Sequence, residues 1–160
     1  MHVCTYICIV KLEEVLKTDK FSSQSQKAGL NILYTAWWFK TAVSGELKTI
    51  GLTHEQYNVL RILKGKHPGQ MCVKDIGSRM IEKNSNVPRI IDKLLLKNLV
   101  NRTTSDIDKR ETVMNLTTSG IDILRSATQK MNIKLESLMV ITEGDGEALN
   151  ELLEKFREKE

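Results

Sequence analysis

Residues 84–118 read NSNVPRIIDKLLLKNLVNRTTSDIDKRETVMNLTT, and this stretch decides the fold of the 160-residue chain. Val87, Ile90, Ile91, Leu94 and Leu95 recur at three- and four-residue spacing, which puts one apolar stripe along a helix. The other face carries Asn84, Ser85, Asn86, Arg89 and Lys93. Side chains of these types reach base edges and phosphates when a helix enters the major groove. Two β-prone runs follow, residues 99–103 and 112–116, around a polar tip at residues 105–110. There Lys109 and Arg110 stand beside Asp106 and Asp108, and the whole predicts a hairpin. A helix followed by a basic-tipped ribbon is the layout of a winged helix-turn-helix, so duplex DNA is the first partner to expect.

Pro88 helps to fix where the helix begins, because a proline costs little in the first turn and breaks a helix one turn later. Ser85 is the expected N-cap. Upstream, residues 73–81 predict a short helix with Val73, Ile76, Met80 and Ile81 inward, followed by a turn at residues 82–84. Thr53-His54-Glu55-Gln56 has the form of a capping box, with Leu52 and Tyr57 placed to form a hydrophobic staple. That helix should bury Tyr57, Leu60, Ile62 and Leu63 and end at His67-Pro68-Gly69. Before it, residues 25–48 predict a long helix with Leu30, Leu33, Tyr34, Trp37, Trp38 and Ala42 on its apolar side, stopped near Gly51. Residues 11–18 suit a short helix, and the polar FSSQSQ run at 21–26 suits a linker or helix entry.

Downstream, Thr117 should cap a helix reaching about residue 141. Ile121, Leu124, Thr128, Met131, Leu135 and Leu138 give it a heptad seam. The EGDG run at 143–146 reads as a turn, and residues 147–159 as a last helix with Leu149, Leu152, Leu153 and Phe156 on one side. The fold class is therefore mainly α with a small β-hairpin wing (α+β). Residues 1–20 form an N-terminal extension, and 21–51 an N-terminal helix that contributes to dimerisation. Residues 52–116 form the winged domain, and 117–160 the C-terminal dimerisation helices. The terminal helices carry more apolar stripe than a small winged domain can cover, so a homodimer is expected.

Composition agrees: 41% hydrophobic and 28% charged residues argue against disorder, and 5% aromatic favours a helical core over a β-sandwich. Residues 52–116 hold 12 Lys+Arg against 7 Asp+Glu, an excess of +5, while the rest of the chain holds 12 against 13, or −1. The positive field thus sits on the candidate DNA reader. Three cysteines, Cys4, Cys8 and Cys72, make no disulfide framework and no zinc pattern, which suits a reducing cytoplasm. The apolar start MHVCTYICIV lacks the marks of a signal peptide and is too short to span a bilayer. A natural start near Val10 or Lys11 is one expectation. His2, His54 and His67 lack ligand or triad spacing and no phosphate loop is present, so neither an enzyme, a metal nor a cofactor is expected.

The ordered set of motifs resembles the MarR family of bacterial transcription regulators. It consists of LTHEQYNVLRIL from Leu52, the helix with Val87, Arg89 and Ile91 leading to LLLKNLVNR, and the wing DIDKR before LTTSG at 116–120. Lys109 stands where the family often has arginine. The resemblance implies a cytoplasmic homodimer that binds a pseudo-palindromic operator, expected to be a repressor relieved by a small molecule. A thiol-based oxidant sensor and a winged interaction scaffold without DNA binding are the alternatives.

The expected DNA contacts are Asn84, Ser85, Asn86, Pro88, Arg89, Lys93, Asp108, Lys109 and Arg110. Arg89 suits bidentate contact with guanine and Asn86 with adenine. Asn84 and Ser85, at the helix start, favour a phosphate. Lys109 and Arg110 suit the minor groove, with Asp106 or Asp108 holding an arginine. The bland alternative is a set of solvated helix charges. Tyr34, Trp37, Trp38, Tyr57 and Arg61 are candidate lining of an effector pocket, although aromatics at helical spacing are more often core.

Overall fold

The computed structural model describes residues 10–105 and 108–158. The chain divides into two compact units, residues 1–42 and 43–160. In the first, α1 (Leu12–Leu16) ends at Lys17 in the left-handed region, and α2 (Gln24–Lys48) begins and then runs on into the second. Lys27 binds the Glu13 carboxylate and lies 5.5 Å over the Phe21 ring. Leu12 is buried, yet Leu33 and Trp37 on α2 are 69% and 61% exposed.

The second unit continues with α3 (His54–Lys66), β1 (Met71–Cys72), α4 (Val73–Arg79), α5 (Val87–Leu96), β2 (Val100–Thr104), β3 (Thr112–Leu116), α6 (Thr118–Leu138) and α7 (Glu143–Phe156). Its sheet is antiparallel in the order β1-β3-β2, with Val100 opposite Leu116 and Met71 opposite Met114. The central strand therefore buries Val113, Met114 and Leu116, while the edge strand β2 buries only Val100. Among the described residues the largest fully enclosed side chains are Leu47, Val59, Leu60, Leu63, Ile76, Met80, Ile91, Leu94 and Met114.

Backbone chemistry sets the joints. Gly51 takes φ +73° after α2; its amide donates to the Lys48 carbonyl and the Leu52 amide to that of Leu47, a Schellman stop. The Thr53–Gln56 capping box is complete, with hydrogen bonds of 3.2 and 3.1 Å. Thr117 Oγ1 accepts from the Gly120 amide at 2.9 Å and donates to the Asn98 carbonyl at 2.8 Å, locking the start of α6 against the end of the α5–β2 turn. A Cβ on Gly120 would lie 2.0 Å from the Leu99 carbonyl oxygen, so the LTTSG motif needs its glycine for this close approach.

Several local expectations are corrected. Val59, not Ile62, joins the buried face of α3. Ile81 is 74% exposed, because α4 ends at Arg79 and Met80 turns extended, so helical spacing no longer aims the next side chain inward. The N-cap of α5 is Asn86 rather than Ser85, since Asn86 Oδ1 accepts from the Arg89 amide at 3.2 Å. α6 stops at Leu138, short of residue 141, and Ala127 shares its buried face with Leu124 and Met131. The EGDG run is no turn: Thr142 and Asp145 form a second capping box that starts α7 at Glu143. β1, at two residues, was too short to show an alternating pattern. Among the described residues no helix is long and apolar enough to cross a membrane.

Candidate nucleic-acid interface

α5 has one buried and one exposed face. Val87, Ile91 and Leu94 are buried, which turns Pro88, Arg89, Asp92 and Lys93 to solvent. Asn84 and Asn86 are exposed at the helix entry, although the Asn86 carbonyl oxygen is engaged in the cap. Ser85 differs from the rest: it is half-buried, and its Oγ is enclosed without a hydrogen-bond partner.

Two contacts fix this helix, and the sequence signalled neither. Lys97, just past α5, donates to the Gly51 carbonyl and, at 3.1 Å, to Oε1 of the buried Gln56. The C-terminal end of α5 is thereby tied to the capping box of α3. Arg102 on β2 reaches Asp92 on α5 at 2.7 Å, joining ribbon to helix. The Asp108 carboxylate accepts the Arg110 backbone amide at 2.9 Å. Asp106 lies outside the described residues. At the wing tip the Ser105 amide donates to the Glu111 carbonyl and the Asp108 amide to Ser105 Oγ, and Lys109 and Arg110 are exposed.

An open groove of about 670 Å³ runs between α3 and α6, lined by Arg61, Lys64, Leu124, Arg125, Thr128 and Asn132 among others. Arg61, which lines this groove, has its guanidinium 5.9 Å above the Tyr57 ring. The Tyr57 hydroxyl lies 3.3 Å from Thr128 Oγ1. Tyr34 and Trp38 line a separate cleft of about 360 Å³ in the first unit with Val10, Leu12, Asn31 and Thr35, and Trp37 pairs with Tyr34 at 5.6 Å. Arg125, Gln129 and Asn132 were missed because polar residues beside a heptad seam look like ordinary solvated surface.

Cys72 is buried and caps α4, accepting the Asp75 amide at 3.4 Å. That bond favours the thiolate, but burial and the Glu111 and Asp75 carboxylates outweigh it and raise the thiol above its ordinary value. Such a thiol is poorly reactive. Cys4 and Cys8 lie outside the described residues.

The MarR family profile matches residues 52–112, from the α3 cap to the second strand of the wing. Over these 61 of the 160 residues the chain is similar to the MarR family. The HTH-type transcriptional regulator MhqR of Bacillus subtilis is 26% identical over 106 residues, covering 66% of this chain and 72% of MhqR. The MepR–DNA complex of S. aureus superposes with a TM-score of 0.74 at 21% identity, over 88% of this chain and all of that one. BpsR of Bordetella bronchiseptica, whose DNA binding is regulated by 6-hydroxynicotinic acid, gives 0.75 at 17% identity over the same shares. These likenesses establish the MarR winged-helix fold, and the family is one of transcription regulators rather than enzymes.

Proposed function

We propose that this protein is a homodimeric transcription regulator of the MarR type that binds a pseudo-palindromic duplex operator and represses until a small molecule releases it. One observation carries the reading: the solvent face of α5, with Arg89 and Lys93, is bonded through Asp92 and Arg102 to a ribbon tipped by Lys109 and Arg110. In this reading Asn84, Asn86, Pro88, Arg89 and Lys93 meet the major groove while the wing tip meets the minor groove. Ser85, turned inward, contributes through its backbone at most.

A second copy follows from what the chain leaves uncovered. Leu33 and Trp37 on α2, and Leu149, Leu152 and Phe156 on α7, are exposed by 44% or more. Burying a large apolar side chain yields about 1.5–3 kcal/mol, and a symmetric partner is the economical cover. Two readers related by a twofold axis require two half-sites about one helical turn apart.

The effector belongs in the α3–α6 groove. Arg61, Lys64 and Arg125 line it together with Ile121 and Leu124, which suits a small organic anion with an apolar ring. Regulation of BpsR by 6-hydroxynicotinic acid supports an acid of this kind. Oxidant sensing through Cys72 is not favoured, because its thiol is buried and its ionisation suppressed. Selection of genomic fragments by the purified protein tests the proposal. Enriched fragments should share an inverted repeat, and enrichment no better than the input pool would overturn it.

A further inference from the structure

We propose that His54, Glu55 and Glu82 form a binding site for one divalent transition-metal ion of the zinc or manganese class. The site would lie where α3 meets the turn that leads into α5. An imidazole nitrogen and two carboxylate oxygens lie within 4.8 Å of one another, with His54 and Glu55 in the first turn of α3 and Glu82 in the turn after α4. An ion with bonds of about 2.1 Å holds tetrahedral donors roughly 3.4 Å apart, so small side-chain rotations close the shell. The backbone under His54 and Glu55 is already fixed by the Thr53–Gln56 capping box, and both residues are half-buried.

The donor set selects the ion. An imidazole disfavours calcium and magnesium, and the lack of thiolate disfavours copper(I). One neutral nitrogen and two carboxylates balance a double positive charge. The fourth position is left for water. Ser85, whose Oγ is enclosed without a hydrogen-bond partner, belongs to the lining of the same cleft as Glu55 and Glu82.

The site bears on the reader. Glu82 lies a few residues before the Asn86 cap, and Arg89 and Lys93 line the cleft with the two carboxylates. A bound ion would tie the entry of α5 to α3 and remove two negative charges from beside Arg89 and Lys93. This coupling rests on the DNA-binding reading, whereas the site itself does not.

The full chain, stripped of metal with a chelator, is titrated with Zn²⁺ by calorimetry and with Co²⁺ by its visible absorption, without DNA. One saturable ion per chain is expected. His54→Ala and Glu82→Gln should each weaken binding about tenfold or more, and His67→Ala should not change it. Glu82→Gln conserves volume on a turn and decides the matter should the histidine variant fold poorly. No saturable binding, or binding that both variants retain and thiol alkylation abolishes, overturns the site. Zn²⁺ should also tighten duplex binding by the unaltered protein but not by Glu82→Gln. A saturable site without that change supports the site and overturns its coupling to α5.

Discussion

Arg102 Nη2 lies 2.7 Å from Asp92 Oδ1, so one hydrogen-bonded ion pair joins the middle of α5 to the first strand of the wing. Both side chains are about half exposed, at 43% and 58%, which limits the pair to roughly 0.2–1 kcal/mol after solvent screening. It also bridges the ribbon and the helix. Arg102→Ala is therefore expected to lower urea stability by less than about 1 kcal/mol while weakening duplex binding several-fold, without altering which bases are preferred. Paired urea melts and anisotropy titrations check this.

Gly120 is a second test of the joint between reader and α6. A methyl there meets the Leu99 carbonyl oxygen at 2.0 Å, so backbone beside the Thr117 cap has to shift. Gly120→Ala should cost about 3 kcal/mol, at the upper end of overpacking penalties, and lower the melting temperature accordingly. A melt within a degree or two of the unaltered protein would show that the joint relaxes freely.

The start of α7 should respond to acid. Hydrogen bonds from the Thr142 side chain and backbone hold the Asp145 carboxyl below its ordinary value of 3.8. A carboxyl depressed in the folded chain stabilises it fully above the unfolded value and loses that contribution as pH falls through the folded one. The first turn of α7 should thus fray below pH 3.8, and Asp145→Asn should remove that dependence. Hydrogen exchange at the Gly146 amide, which donates to the Thr142 carbonyl, reads the change.

The α3–α6 groove makes a chemical prediction. Small aromatic carboxylates should raise the melting temperature and release duplex, and their neutral amides should do neither. Arg61→Ala and Arg125→Ala should each blunt the response about tenfold, since each would remove a charge-assisted bond of about 1.5–3 kcal/mol. Thermal-shift titrations of the three proteins with each acid and amide measure it.

Much of the winged domain was legible in the sequence because its signals are local. The capping box at Thr53, the proline at position 88, the Gly51 stop and the apolar stripe at Val87, Ile91 and Leu94 each depend on neighbours within one or two turns. What the sequence hid were contacts between distant segments. Lys97 on Gln56, Arg102 on Asp92, and the convergence of His54 and Glu55 with Glu82 cannot be seen until the chain is folded. The EGDG run misled because glycine pairs usually mark turns, whereas Thr142 and Asp145 supply enough capping to begin a helix across them. Ser85 and Asn86 are both good caps, and only geometry chose between neighbours.

Selection from a random duplex pool, run in parallel with the unaltered chain and with Arg89→Ala, probes the DNA reader most directly. The unaltered chain should enrich an inverted repeat of two half-sites, and the variant should keep the spacing while losing preference at one base position in each half, a loss of about 1–3 kcal/mol. Enrichment of nothing, or an identical motif from both proteins, would contradict base reading by the exposed face of α5.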